Sequence, residues 1–374
     1  MVAARPHAYV PSLDGLRAVS VLLVCASHVG LGRVVPGGFG VTVFFFISGY
    51  LITGQLAAEH RARGRIDFRR FYMRRVLRLM PAALGYLAIA GGAFLLLGGR
   101  ISPAGWLAAV FYGGNYYDLY ATYGNAGTDV RHPFNIIWSL AVEEHFYLLL
   151  PPLLALLLGR GSAARQLLAG ACLAEFAWRW VLFRHCLGGH PGGLCGLDPA
   201  DRIYKATDAR LDSLAYGALL ALAGGWVPRS RTVIIAALLL LVFGSAPLGA
   251  WPRQVLRYSA QGAALFVLVP ALIGTESALR RLLESAPAVV IGRMSYSIYL
   301  WHWGALMVAD AAAPGGGIGW AALAAGLTAG LAVLSYSMAE RRMLRLRRRF
   351  GSQAPQHLPL PARGPVHATP RLPV

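Results

Sequence analysis

Long apolar blocks alternate with short breaks, rich in arginine or in glycine and proline, along almost the whole chain. Eleven blocks can be drawn, near residues 16–33, 38–57, 79–98, 103–117, 135–157, 164–184, 208–225, 231–249, 254–274, 287–309 and 317–337. A helix needs about 20 apolar residues to cross the hydrocarbon of a bilayer, and most of these blocks approach that length. A transmembrane barrel would show short segments of alternating polarity instead. The pattern predicts an all-α polytopic membrane protein.

The breaks orient it. Arginines gather in EHRARGRIDFRRFYMRRVLRL (residues 59–79) and ERRMLRLRRRF (residues 340–350), and both flank apolar blocks. The positive-inside rule places both on the cytoplasmic side, so an even number of crossings separates them. Nine blocks lie between them, so one does not cross. PAGWLAAVFYGGNYY, residues 103–117, is short and carries Gly113-Gly114 near its end, and is expected to be interfacial or re-entrant. Its removal leaves about ten transmembrane helices, both termini cytoplasmic, and the loops 185–206 and 310–317 outside. The domain reading is then a cytoplasmic segment 1–12, a transmembrane domain 13–340 and a basic, then Pro-rich, tail 341–374, expected to be disordered. The opening MVAARPHAYVPSLDG lacks the features of a cleavable signal, so the first block is expected to stay as an anchor.

Composition sharpens this reading. Of 374 residues, 56 % are hydrophobic and 14 % charged, which excludes an ordinary soluble enzyme. The net charge of +19 sits beside apolar blocks, where topology and anionic headgroups account for it, so nucleic acid is not an expected partner. Four cysteines include no CxxC pair, and no metal site is expected. Cys186 and Cys195 share one outer loop and are placed to form a disulfide if it faces an oxidising compartment.

Polar residues inside the blocks are the candidates for chemistry, because an ionisable group at mid-bilayer costs about 2.5–3.5 kcal/mol on insertion scales. The first span with its lead-in, SLDGLRAVSVLLVCASHVG, contains Asp14, Arg17 and His28. Arg17 and His28 are eleven residues apart, about 16 Å along a helix and on one side of it. His28 reads either as a proton acceptor or as a helix-end residue bonded to a carbonyl. Arg75 and Arg78 share a helix face beside Arg74, and read either as a topology signal or as an anion site for a phosphate-bearing donor. In WSLAVEEHFYLLLP, Glu143 and Glu144 point about 100° apart on a helix, so one can line a cavity while the other meets headgroups or an arginine. Arg210 and Asp212 do not share a face, and each is expected to pair across the bundle. Tyr296, Tyr299 and His302 recur every three residues as a polar and aromatic stripe, favoured here as the wall of a cavity.

Six pieces in order resemble the membrane-bound acyltransferase family 3: SLDGLRAVSVLLVCASH, FFFISGYLI, FYMRRVLRLMP, WSLAVEEHFYLLLP, DARLDSLAYG and SYSIYLWHW. The resemblance runs from about Tyr9 to Glu340. It includes bacterial O-acetyltransferases of polysaccharides, O-antigen, Nod factors and macrolides. The resemblance implies transfer of a short acyl group, acetyl foremost, from acyl-CoA to a hydroxyl of a carbohydrate-containing acceptor (exopolysaccharide, O-antigen, another glycan or a macrolide-type glycoside). Acyl-CoA is the co-substrate and no cofactor is resident. The implied place is the bacterial cytoplasmic membrane.

Arg17 and His28 fall on the family's first-span arginine and histidine, Glu143 on its acid, and Arg75 and Arg78 on its cytoplasmic arginine pair. The mechanism so implied has His28 deprotonate the hydroxyl, Glu143 orient His28, Arg17, Arg210 or a tyrosine meet the oxyanion, and Arg75 and Arg78 with Arg74 hold the donor's phosphates. Some members append a periplasmic hydrolase-like domain. A short tail stands there in this sequence, so the final transfer is expected from the membrane domain or a separate protein. A transporter of a lipid-linked or glycosylated substrate, without acyl transfer, is the alternative.

Overall fold

A computed structural model describes residues 9–121, 130–186, 193–245 and 249–347, and every regular element among them is helical. Helix α1 (Pro11–Ala26) opens with proline in its first turn, where a missing N–H costs nothing, and with Asp14 facing the helix dipole. It runs into a π-helical turn, Ser27–Leu31, that ends as Gly30 takes a φ of +98°. Helix α2 (Gly37–Arg63) stops at Gly64, whose φ of +69° lets its N–H reach the His60 carbonyl. Helix α3 (Phe68–Leu96) begins where the Asp67 side chain accepts the Arg70 N–H.

Two short helices follow, α4 (Pro103–Val110) and α5 (Gly114–Tyr120), parted by Tyr112 at a φ of 56°. With eight and seven residues neither can span a bilayer, as expected of 103–117. Then come α6 (Ile137–Leu157), α7 (Ala163–Cys186), α8 (Pro199–Lys205), α9 (Leu211–Leu222), α10 (Arg231–Ser245) and α11 (Arg257–Gly274). The chain closes with α12 (Ala278–Leu283), α13 (Ala286–Arg293), α14 (Ser295–Ala312), α15 (Ile318–Ser335), a π turn Tyr336–Glu340 and α16 (Arg341–Arg347). The Pro-rich tail from Gly351 and the first eight residues lie outside the described residues.

The expectation of about ten crossings is corrected. Among the described residues six helical stretches are long and apolar enough to cross a membrane: Pro11–Leu31, Gly37–Arg63, Phe68–Leu96, Pro133–Leu157, Pro252–Gly274 and Ile318–Met343. The other blocks fall short for identifiable reasons. Helix α7 carries Glu175 and Arg179 at its middle, α9 has only 12 residues, and the block 287–309 breaks at Met294 between α13 and the polar α14.

Helix α2 is central, packing against α1, α6, α9 and α11. Its backbone meets that of α9 because both helices carry glycine at the crossing. A Cβ on Gly49 would stand 2.0 Å from the Leu214 carbonyl oxygen, and one on Gly217 1.9 Å from that of Phe46. Other pairs are α1 with α13, α7 with α9, α10 with α11, and α14 with α15. The main core joins Val21, Phe45, Tyr86, Phe134, Trp138 and Leu214. Ile235, Leu239 and Val242 on α10, and Val333 and Leu334 on α15, face outward, as helices against lipid do.

The charges of α7 are absorbed by its neighbours. Arg179 donates to Asp212 Oδ2 on α9 at 2.6 Å, to Ser259 Oγ on α11 at 2.5 Å and to the carbonyls of Ala209 and Val255. Glu175 accepts the Asp212 backbone N–H at 2.8 Å. The end of α7 is tied to the turn Gly193–Cys195 by a disulfide between Cys186 and Cys195.

Candidate active site

The π turn at the end of α1 carries His28 against α14. Its Nδ1 lies 3.0 Å from Nε2 of His302, and the two rings are nearly parallel and meet edge to edge, their centroids 5.2 Å apart. Nδ1 of His302 in turn lies 2.6 Å from the Tyr299 carbonyl oxygen one turn back on the same helix. Trp303 closes one side, its ring edge-on to His28 at 5.0 Å. Beside them Arg131 pairs with Asp310 at 2.8 Å and covers the rings of Trp303 and Trp320.

Toward the other end of α1 lies a small cavity of about 40 Å³ whose walls include Arg17, Phe44, Ser139, Glu143, Tyr296 and Tyr299. It is room for a few water molecules at most. Glu143 accepts from Ser48 Oγ at 2.9 Å and from the Tyr147 hydroxyl at 3.4 Å. Arg17 donates from Nε to Ser295 Oγ at 3.3 Å and rests over the Phe44 ring. The hydroxyls of Ser139 and Tyr299 meet at 2.5 Å, and Tyr296 donates to the Leu79 carbonyl at 2.9 Å.

Around this cavity the charges alternate. Arg17, Arg78 and Arg75 lie within electrostatic reach of Glu143, and Arg17 and Arg78 also of Glu340, which accepts from Ser297 Oγ at 2.5 Å. Arg75 is buried under the ring of Tyr147, 5.4 Å from its centroid. Guanidinium groups are held this close inside a fold only with acids between them. The arrangement offers positive charge to an anionic ligand at one end of α1 and an imidazole pair at the other. Tyr299 belongs to both: its side chain lines the cavity, and its carbonyl anchors His302.

Arg17, Glu143, Tyr296 and Tyr299 thus converge, as do His28 and His302. Other expected residues are placed elsewhere. Glu143 is hydrogen-bonded to Ser48 and Tyr147, and the partner of His28 is His302, so the expected orientation of His28 by Glu143 gives way to a second imidazole. Arg74 faces Glu59 at 3.8 Å. Asp14 meets Tyr9 and Arg293. Glu144 lies within reach of the charge of Arg75 and is absent from the cavity wall. Asp212 does pair across the bundle, with Arg179. Arg210 instead rests in a box of aromatic rings, 3.9 Å from the Tyr258 centroid and within 6 Å of Tyr204, Phe45 and Trp138, with no ion-pair partner among the described residues.

Sequence reasoning did not single out Glu340, Arg131 or Asp310. Glu340 directly precedes a run of arginines, so it reads as one more flanking charge. Only the π turn at Tyr336–Glu340, folding back toward α3, turns it inward.

Comparisons with known proteins agree with this architecture. The acyltransferase domain family matches residues 10–339. O-acetyltransferase OatA of Staphylococcus aureus strain NCTC 8325 / PS 47 is 29 % identical over 314 residues, covering 79 % of this chain and 50 % of that protein. OatA of strain COL matches with the same figures. The chain thus spans about half the length of the curated relatives it matches. No solved structure matches it. With the family's domain extending from the start of α1 to the π turn that carries Glu340, the chain belongs to the membrane-bound acyltransferase family 3.

Proposed function

We propose that the protein transfers an acetyl group from acetyl-CoA to a hydroxyl of a carbohydrate-containing acceptor at a bacterial cytoplasmic membrane, with both termini in the cytoplasm. One observation carries the reading: a single helix, α1, ends on a cluster of guanidinium groups at one side and on the His28–His302 pair at the other, with Tyr299 common to both. A thioester donor with a phosphorylated nucleotide head and a long uncharged arm has matching chemistry. Arg78, half-buried, meets the phosphates first, with Arg75 behind it. Guanidinium forks suit that task. The relatives are O-acetyltransferases by name, which supports acetyl as the group.

In the reaction His28 removes the acceptor's hydroxyl proton as the oxygen attacks the thioester carbonyl. The C–O bond forms, the C–S bond breaks, and the proton passes to the departing thiolate. Arg17, the cation in the cavity wall and about three helical turns from His28, meets negative charge of the donor there, while the oxyanion forms beside His28. Glu143 holds Arg17 and Arg78 in place by charge.

The test is purified protein in detergent, given radiolabelled acetyl-CoA and a panel of polysaccharide repeats, lipid-linked sugars and macrolides. Label on an acceptor, abolished by His28→Ala, is expected. Absence of label with every acceptor, together with passage of a glycan across vesicles, would replace the reading with transport.

A further inference from the structure

We infer that His302 is the positioning residue of the site: it holds His28 in the tautomer with hydrogen on Nδ1 and a bare lone pair on Nε2. The inference rests on the acyl-transfer reading above. A carbonyl oxygen only accepts, so the 2.6 Å contact with that of Tyr299 requires a hydrogen on Nδ1 of His302. A neutral imidazole carries one N–H, so Nε2 of His302 is then an acceptor. The contact from that atom to Nδ1 of His28, at 3.0 Å, therefore needs the hydrogen on His28. His28 has no second hydrogen to place, and its Nε2 is left as a base.

The alternative, a charged His302 donating through both nitrogens, would bury an imidazolium at 2 % exposure with backbone carbonyls and another imidazole as partners and no carboxylate. A buried charge so served is costly. The charged groups nearest the pair do not relieve it: Arg131 has the wrong sign, and Asp310 is engaged by Arg131 and by the indole N–H of Trp320.

Hydrolytic triads give this orienting task to a carboxylate. Here a neutral ring fixes the tautomer, and the chain Tyr299 carbonyl, His302, His28 is built on α14 and the π turn of α1. The transferred proton goes from the acceptor hydroxyl to Nε2 of His28 and from there to the thiolate sulfur, while His302 keeps its own proton throughout.

Two variants and one spectrum test this. His302→Gln keeps an oxygen able to accept from His28, whereas His302→Leu does not. We expect His302→Leu to lower kcat on the order of a hundredfold to a thousandfold, with the KM for acetyl-CoA within about threefold, and His302→Gln to recover to within about tenfold of the native kcat. Equal loss in both variants, or full kcat in His302→Leu, would overturn the assignment. On the native protein, ¹⁵N-histidine NMR should find Nδ1 of His28 protonated and Nε2 bare; the reverse pattern sinks the inference even where a variant fails to insert. If the native protein transfers no acetyl group at all, the functional reading fails, while the spectrum still reports on the tautomer.

Discussion

Glu143 and Glu144 are adjacent, chemically identical and differently employed. Helical geometry turns them about 100° apart, and the fold gives Glu143 the hydroxyls of Ser48 and Tyr147 while Glu144 stays off the cavity wall. We therefore expect Glu143→Gln to lower turnover by about two orders of magnitude and Glu144→Gln by only a few-fold, measured as kcat at equal amounts of inserted protein. A dead Glu144→Gln beside an active Glu143→Gln would move the site by one residue. The arginines divide similarly. Arg78→Ala should raise the KM for acetyl-CoA about tenfold with little loss of folded protein, since Arg78 is only half-buried whereas Arg75 is buried against Tyr147. Arg75→Ala should also lower thermal stability, because it removes a buried side chain from between Phe71 and Tyr147. An unchanged KM in both variants would return the pair to topology signals.

Helices meet here through a few demanding contacts. At the α2–α9 crossing, Gly217→Val would drive a side chain into the Phe46 carbonyl, and the expected result is loss of folded protein in a detergent thermal-shift assay. Native melting in that variant would show that α2 and α9 do not cross so closely. The charged centre of α7 is the second demanding contact. Arg179→Met leaves Asp212 buried without its partner, a change that costs about 3–5 kcal/mol where such pairs have been broken. Arg179→Met combined with Asp212→Leu should regain part of that loss, because the charge of Asp212 is gone and only that of Glu175, 3.8 Å from Arg179, stays. A double variant less stable than the single one would show that the pair contributes net stability. These helices also show where reading along the chain fails. The block 287–309 reads as one segment along the chain, and Gly292, Arg293 and Ser295 at the junction are too weak a signal to part α13 from α14. The break exists because α13 lies along α1 while α14 turns to pack on α15.

Arginine placement predicts that the α2–α3 connection and the segment after α15 share the cytoplasmic side. A single cysteine introduced after residue 349 should react with a membrane-impermeant maleimide only once the cells are opened, and labelling of intact cells would invert that arrangement. What could be read along the chain was the all-α membrane class, the family through six ordered motifs, the short non-crossing segment, and Arg17 and His28 as candidates. Those properties are local: insertion depends on the apolar content of each segment, and a charge within it is conspicuous wherever the rest of the chain goes. The partnerships were not legible. His28 meets His302 across 274 residues, Ser48 meets Glu143 across 95, and Ser297 meets Glu340 across 43. Hydropathy carries no information on which helix faces which, and the family motif alone suggests pairing Glu143 with His28, whereas packing gives it to Ser48 and Tyr147. The number of long apolar spans failed for the same reason. The charges of α7 become tolerable only where α7, α9 and α11 come together around Arg179, and that meeting is a property of packing in three dimensions.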